Sequence, residues 1–457
     1  MATLRASLPD HARAIWRSAV DAVKPDLLVR QALTDPALGI GVAMARAPRI
    51  LVLGGGKAGS AMSAAVEKIL ADQLDKLDGL INVPAEAVVP LQRIRLHAAR
   101  PCGSNQPTSA GVEGAEEILR LARSAGPHDV ALCLLSGGGS ALLPAPAPGI
   151  TLADKQEVTG YLHASGATIN EMNAVRKHLS ALKGGRLAQA FTGSRLFSII
   201  ISDVIGDPVD VIASGPTAAD PSTFAEALSV LEKYRLTSKV PNSVLYHLRR
   251  GVTNQIPETL KVQPEHVRNF VIGNNGRALA AAQGTAQALG YRVLNLGSFI
   301  EGETREVAIA LAGIVRSIRR ETIPGAPPIC ILSGGETTVT LPPNHGRGGR
   351  NQEFALAALG KLGPVDMPGV VLLSGGTDGE DGPTDAAGAL ADNHTLTRAA
   401  ALGLDWRHFL NCHDSYTFFE QTGGLLKTGL TLTNVMDVRV LLVGEQDKNQ
   451  RKPEIFS

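Results

Sequence analysis

The sequence predicts an α/β protein of two domains built on doubly wound, largely parallel sheets, and three observations carry that prediction. Short aliphatic and β-branched runs at 50–53, 130–135, 197–201, 270–272, 329–332 and 370–373 alternate with longer helical patterns, as when parallel strands are joined by crossover helices. Glycine is abundant, at 49 residues, while aromatics make up only 4%, which suits many tight strand-to-helix turns and poorly suits an aromatic sugar cleft. The chain, at 457 residues, is also too long for one ordinary core.

Composition excludes some partners. Lys and Arg total 44 against 43 acidic residues, so neither nucleic acid nor an anionic membrane is expected as the main partner. Any anion must then be bound locally. No apolar run approaches the roughly 18 residues of a membrane span. Cys102, Cys133, Cys330 and Cys412 match no C-x-x-C pattern, and Cys133 and Cys330 lie in apolar runs that read as buried strands. A reducing, cytoplasmic setting is expected.

Taken in order, the N-terminal stretch places Ile15, Ala19, Ala22 and Val23 at helical spacing before Pro25, an amphipathic helix and not a secretory signal. Arg5, Arg13 and Arg17 leave an organelle-targeting role open. The run "ILVLGGGKAG" then ends a strand in Gly54, Gly55 and Gly56 and, with Gly59, matches G-x-G-x-x-G. A dinucleotide site also needs an acid closing the second strand, about 20 residues on. Asp72, Asp75 and Asp78 read there as helix or loop. Lys57 sits within the turn instead, where a compact cation suits a terminal or transferring phosphoryl group, or simply solvates the turn. The loop is not a Walker A sequence.

A local echo follows. "LLSGGGS" (Ser136, Gly137, Gly138, Gly139, Ser140), "LSGG" with Gly334 and Gly335, and "LSGG" with Gly375 and Gly376 each end a strand in Ser-Gly-Gly. Such turns bring amides close to an anion, or are simply how tight turns are made. In "NAVRKHLSALKGGR", Arg176 and Lys183 are candidate substrate or phosphate contacts, while Lys177 and Arg186 read as a solvated helix face. "SDVIGDP" places Asp203 and Asp207 after a strand, fit to hold Mg²⁺ or take a proton from a hydroxyl; Asp207-Pro208 also reads as a turn.

The polar, Pro-containing stretch 236–268 is expected to hold the domain boundary near 258–266, giving domains 1–260 and 265–457. The loop 339–350 reads as functional rather than as a linker. Arg347 and Arg350 follow its glycines, suited to charge on equatorial phosphoryl oxygens or to capping. Asp378, Asp381 and Asp385 lie in an acidic loop fit for Mg²⁺ or a substrate hydroxyl. His413 and Asp414 read equally as caps or ligands.

Together "GGGKAG", "SGGGSALL", "NAVRKHLSALKGGRLA", "SDVIGDPVDVIASGPT", "GGRNQEFAL", "LLSGGTDGEDGPTDAAGA" and "LLKTGLTLTNVMDVRVLLVG" resemble the class II glycerate 2-kinase family over essentially the whole chain. The resemblance implies an N-terminal Rossmann-like α/β/α sandwich, a smaller C-terminal α/β (MOFRL) domain, and an active site in the interdomain cleft. It implies direct in-line transfer from ATP, with Mg²⁺, to the 2-hydroxyl of D-glycerate, giving 2-phosphoglycerate. Lys57, Asp203 and Arg350 match the family's active-site positions. The metal ligands stay open among Asp203, Asp207, Asp378 and Asp381, and a homodimer is left open. Family members often carry Ser or Ala where Gly59 stands, so the dinucleotide spacing is accidental. The rivals are an NAD(P)H-dependent hydroxypyruvate reductase, which the missing ribose-binding acid argues against, and a non-catalytic metabolite-binding protein.

Overall fold

Residues 50–53 are aliphatic throughout and lead into glycines, and in the computed structural model they lie buried in the middle of a parallel sheet. The structure describes residues 7–101 and 106–445; Arg5 and Cys102 lie outside them. The chain divides into two compact units, Pro25–Gly273 and Met1–Lys24 with Asn274–Ser457.

In the unit Pro25–Gly273 six strands, β1 Ile50–Gly55, β2 Leu77–Pro84, β3 Ile94–Arg100, β4 Val130–Leu135, β5 Arg195–Ile201 and β6 Val267–Gly273, run in the order β3-β2-β1-β4-β5-β6. Every pairing is parallel. This is the strand order of the doubly wound dinucleotide fold, whose ligands collect at the carboxyl ends where the order reverses. Here that switch point lies between β1 and β4. Alternate residues of a strand face opposite sides, and β2 shows the consequence. A Cβ on Gly59 would touch Ile81 and Val83, while one on Gly114 would touch Asn82, so helices Gly59–Ile69 and Ser109–Arg123 cover opposite faces. Leu51, Leu53, Leu80, Cys133 and Leu135 share the core cluster on the Ser109–Arg123 side.

β2 corrects the expectation for the stretch after Leu70. Asp72 and Asp75 lie in a 3-10 turn, Ala71–Lys76, but Asp78 is the second residue of a largely buried strand. Only "LINV" is apolar there, too short a run to stand out. Gly79, packed against the Val52 carbonyl, interrupts it further.

The second unit holds β7 Arg292–Asn295, β8 Ile329–Gly335, β9 Val370–Gly376, β10 Gly388–Asp392, β11 Leu425–Leu426 and β12 Asp437–Val443, in the order β11-β10-β9-β12-β8-β7. Only β7–β8 is parallel; β12 inserts antiparallel between β8 and β9. The expectation of a parallel sheet therefore holds for the first unit and is corrected for the second. Crossover helices do not reveal a strand inserted from the far end of the chain.

The division also falls elsewhere than expected. Residues 267–273 pair with β5, which carries the first unit to Gly273. Helix Leu8–Asp21 packs on helix Asn275–Ala288 and on β9 and β12, so the N-terminus belongs to the second unit. Its Trp16 donates Nε1–H to the Gly375 carbonyl at 3.2 Å.

Candidate active site

The carboxyl ends of β1, β4 and β5 bring three predicted stretches side by side: Lys57 after β1, Ser136–Ser140 after β4 and Asp203 after β5. Neighbouring strands lie about 4.8 Å apart, so the ends of β1 and β5 are about 10 Å apart.

The turn after β1 is closed by its own hydrogen bonds. Gly56 N–H goes to the Asn82 carbonyl (3.1 Å), Lys57 N–H to the Gly137 carbonyl (2.8 Å) and Ala58 N–H to Ser136 Oγ (3.0 Å). Gly56, at φ 157°, lies so near β4 that a Cβ would stand 2.1 Å from Ser136 Oγ. The glycines Gly54, Gly55 and Gly56 thus serve strand packing, and the amides of Gly56, Lys57 and Ala58 are not offered to a ligand. By contrast, the amides of Gly137 and Gly138 have no acceptor among the described residues. Gly138 holds the left-handed φ of 76°, and the Lys57 side chain runs beside it, with Cγ 3.4 Å from where its Cβ would be. Arg100 Nη2 lies 3.9 Å from the same point. Arg100, buried at the end of β3, was missed in the sequence because β3 was.

Ser140 is a hub. Its Oγ accepts from Arg176 Nη2 (2.6 Å) and Lys183 Nζ (2.9 Å), and its carbonyl accepts from Lys183 Nζ (2.7 Å). The Ser214 Oγ lies 2.8 Å away. Beside it opens a cavity of about 220 Å³ lined by Ser140, Lys155, Arg176 and Lys183. The two predicted contacts, Arg176 and Lys183, are therefore brought together, and Lys155 joins them from helix Leu152–Ala164. That lysine carried no motif signal.

The loop from Asp203 to Gly215 is strained: Asp207, Ala213 and Ser214 all adopt positive φ, at 55°, 52° and 61°. Such conformations cost about 1–3 kcal/mol each and persist where surroundings impose them. Ser214 is tied to Ser140, and Ala213 packs on Gly139. Lys177 anchors the same loop through Asp210 and also holds Asp220 beyond it, each at 3.1 Å. It is 3% exposed, which corrects the reading of a solvated helix face. Arg186 likewise has its pKa lowered by burial.

In the second unit Arg350 opens helix Arg350–Asp366. Its Nε donates to Asp437 (2.7 Å) and its Nη1 to Glu336 (2.9 Å). Burial opposes its charge, but Asp437 and Glu336 outweigh this and hold its pKa above the usual value. Asp437 also accepts from Asn351 Nδ2 (2.8 Å) and buried Arg439 (3.3 Å). Asp381 caps the helix, accepting from the backbone N–H groups of Asn351 (3.0 Å) and Gln352 (2.8 Å). Its carboxyl is pushed up to about 6 by burial, against the pull of those two donors. Asp378 accepts from Glu380 N–H at 3.2 Å. Arg347 lies 4.3 Å from the Tyr416 ring centroid, and Asp414 accepts its N–H at 3.0 Å. His413 pairs with Glu353 at 2.9 Å.

The remaining glycine loops close strands. A Cβ on Gly334 would meet Asn275, on Gly335 the Ile300 backbone, on Gly375 Trp16, and on Gly376 the Glu380 carbonyl. Gly334 and Gly376 N–H groups are bonded to Gly297 and Ala387. In the loop Ser136–Ser140 the amides of Gly137 and Gly138 are left without an acceptor among the described residues. No three of His, Cys, Asp and Glu gather as a metal site among the described residues. The buried thiols of Cys133 and Cys330 are pushed up to about 12 by desolvation. No helix among the described residues is long and apolar enough to cross a membrane.

Comparison with known proteins matches these landmarks. Residues 11–249 fit the model of a domain of unknown function, DUF4147, and residues 329–437 that of the MOFRL family. The chain is 39% identical to a glycerate 2-kinase of Pyrococcus horikoshii, over 86% of this chain and 87% of the relative. It is 44% identical to a putative hydroxypyruvate reductase of Agrobacterium vitis, over 87% and 100%. The crystal structure of a glycerate kinase from Thermotoga maritima superposes with a TM-score of 0.84 at 34% identity, covering 95% of this chain and 99% of that one. Two domain models in the same order, with relatives spanning nearly the whole length, show that the chain belongs to the class II glycerate kinase family.

Proposed function

We propose that the protein transfers the γ-phosphoryl group of ATP directly to the 2-hydroxyl of D-glycerate, giving 2-phosphoglycerate and ADP. The observation that carries this reading is the cationic ring at the switch point: Lys57 and Arg100 beside Gly138, with Arg176 and Lys183 on Ser140. Phosphoryl transfer asks a protein chiefly to position its reactants and to neutralise charge. Lys57 and the amides of Gly137 and Gly138 would hold terminal phosphoryl oxygens, and Arg176 and Lys183 the glycerate carboxylate. Asp203 would orient the acceptor hydroxyl and take its proton. Arg350, which the family resemblance adds to the site, would meet developing charge on the transferred group.

The residues fit a Mg²⁺ held chiefly by substrate. Mg²⁺ commonly uses one or two protein carboxylates and completes its shell with phosphate oxygens and water, and Asp203 and Asp207 share one loop at the end of β5. Asp381 is less suited, since both its oxygens already accept helix N–H groups. Bound Mg²⁺ supplies charge neutralisation on the β- and γ-phosphoryl oxygens.

The reductase reading is favoured by the name of the Agrobacterium relative and is weakened by the turn after β1. A pyrophosphate needs amides from that turn, and those of Gly56, Lys57 and Ala58 are bonded internally. The acid nearest the end of β2 is Glu86, exposed, two residues past Pro84. Phosphorus NMR after incubation with D-glycerate, ATP and Mg²⁺ tests the choice. A 2-phosphoglycerate resonance is expected; consumption of NADH with hydroxypyruvate and no phosphorylated product would overturn the kinase reading.

A further inference from the structure

The cavity beside Ser140 carries more positive charge than its own walls satisfy. Lys155, Arg176 and Lys183 line it together with His163, and no carboxylate does so among the described residues. Arg176 and Lys183 find partners on Ser140. Lys155 is 9% exposed, and its ammonium is buried with no hydrogen-bond partner among the described residues. An unpaired ammonium in such a place opposes folding. A ligand of opposite charge would remove the conflict.

Size admits a small ligand. The cavity of about 220 Å³ is well above the roughly 10–15 Å³ of open space that one water needs, so it has room for a compact anion. Glycerate is such an anion. Resting on the kinase reading above, we propose that Lys155 is the third cation of the acceptor subsite, pairing with the carboxylate of a compact 2-hydroxy acid and selecting it over uncharged polyols.

Proton linkage follows. Burial and the neighbouring Arg176 bring Lys155 down to about 7, and burial with Arg176 and Lys155 holds Lys183 well below the usual lysine value. Among the described residues, the charged and titratable groups facing Lys155 are Arg176 from helix Ile169–His178, Lys183 from the loop beyond it and His163 from its own helix. An entering carboxylate raises the pKa of both lysines. Binding therefore takes up protons above pH 7, and affinity falls as pH rises through that value.

Calorimetric titration of the full chain with D-glycerate at pH 8, in two buffers of different ionisation enthalpy, tests the assignment, with turnover followed by phosphorus NMR. Lys155→Met should weaken binding about ten- to a hundredfold, the range of one charge-assisted hydrogen bond. It should reduce proton uptake, raise KM more than it lowers kcat, and raise the melting temperature because a buried unpaired charge is gone. Lys155→Gln serves as the second variant should Lys155→Met not fold. A folded variant that binds D-glycerate as tightly as wild type, with the same proton uptake, overturns the assignment and leaves the kinase reading intact. Wild type that binds D-glycerate with the expected linkage yet forms no phosphoglycerate overturns the kinase reading and retains the subsite. Wild type that binds no D-glycerate overturns the subsite.

Discussion

In the proposed transfer, charge neutralisation depends most on Lys57. Its backbone is fixed by the Gly137 carbonyl, while its ammonium has no partner among the described residues. Lys57→Met should therefore fold with an unchanged melting temperature and lose about 10²–10³ in kcat, the usual penalty for removing one transition-state donor. Steady-state assays beside thermal melts check this, and a fully active variant would count against the phosphoryl role. The sequence displayed Lys57 clearly, because glycine turns around a lysine are rare enough to notice. Arg100 and Lys155 were not legible, since one closes a strand with little aliphatic character and the other sits on a helix with no periodic signature.

Among the elements, the helix that presents Arg350 depends on a residue 31 positions later in the chain, Asp381. Asp381→Ala removes the acceptor for two buried N–H groups and should destabilise the second unit by about 1–2 kcal/mol, measurable by urea unfolding. The sign of its pH dependence is set by the upward shift. With a folded pKa of about 6 against an ordinary 3.8, the native state takes up a proton before the unfolded chain does. This group therefore adds stability as pH falls from about 6 toward 4. Asp381→Asn should lack that increment. The loop Asp203–Gly215 makes a similar point: its motif was legible, but its left-handed residues were not, because Ala and Ser do not advertise positive φ.

For the whole molecule, the discontinuous unit is the main finding that contiguity in sequence would not suggest. Helix Leu8–Asp21 joins the sheet that begins some 270 residues later. Trp16, 3% exposed, packs on Gly375. Trp16→Ala should cost about 3–5 kcal/mol, and hydrogen exchange should accelerate in β9, β12 and helix Asn275–Ala288. Acceleration confined to β1–β6 would contradict the assignment of the N-terminal helix to the second unit.

By itself the sequence determined the α/β class, the strand runs that end in glycine, the family, and the cations and carboxylates that crowd those strand ends. These features are local, carried by aliphatic periodicity and by turn chemistry readable within about a dozen residues. Only the tertiary structure decided which glycine loop has amides to offer, that Asp381 caps a helix, that β12 parts β8 from β9, and that Lys155 completes a cationic cavity. Each of those depends on a partner distant in the chain, and hydrogen-bond competition and burial act on spatial neighbours that no local pattern records.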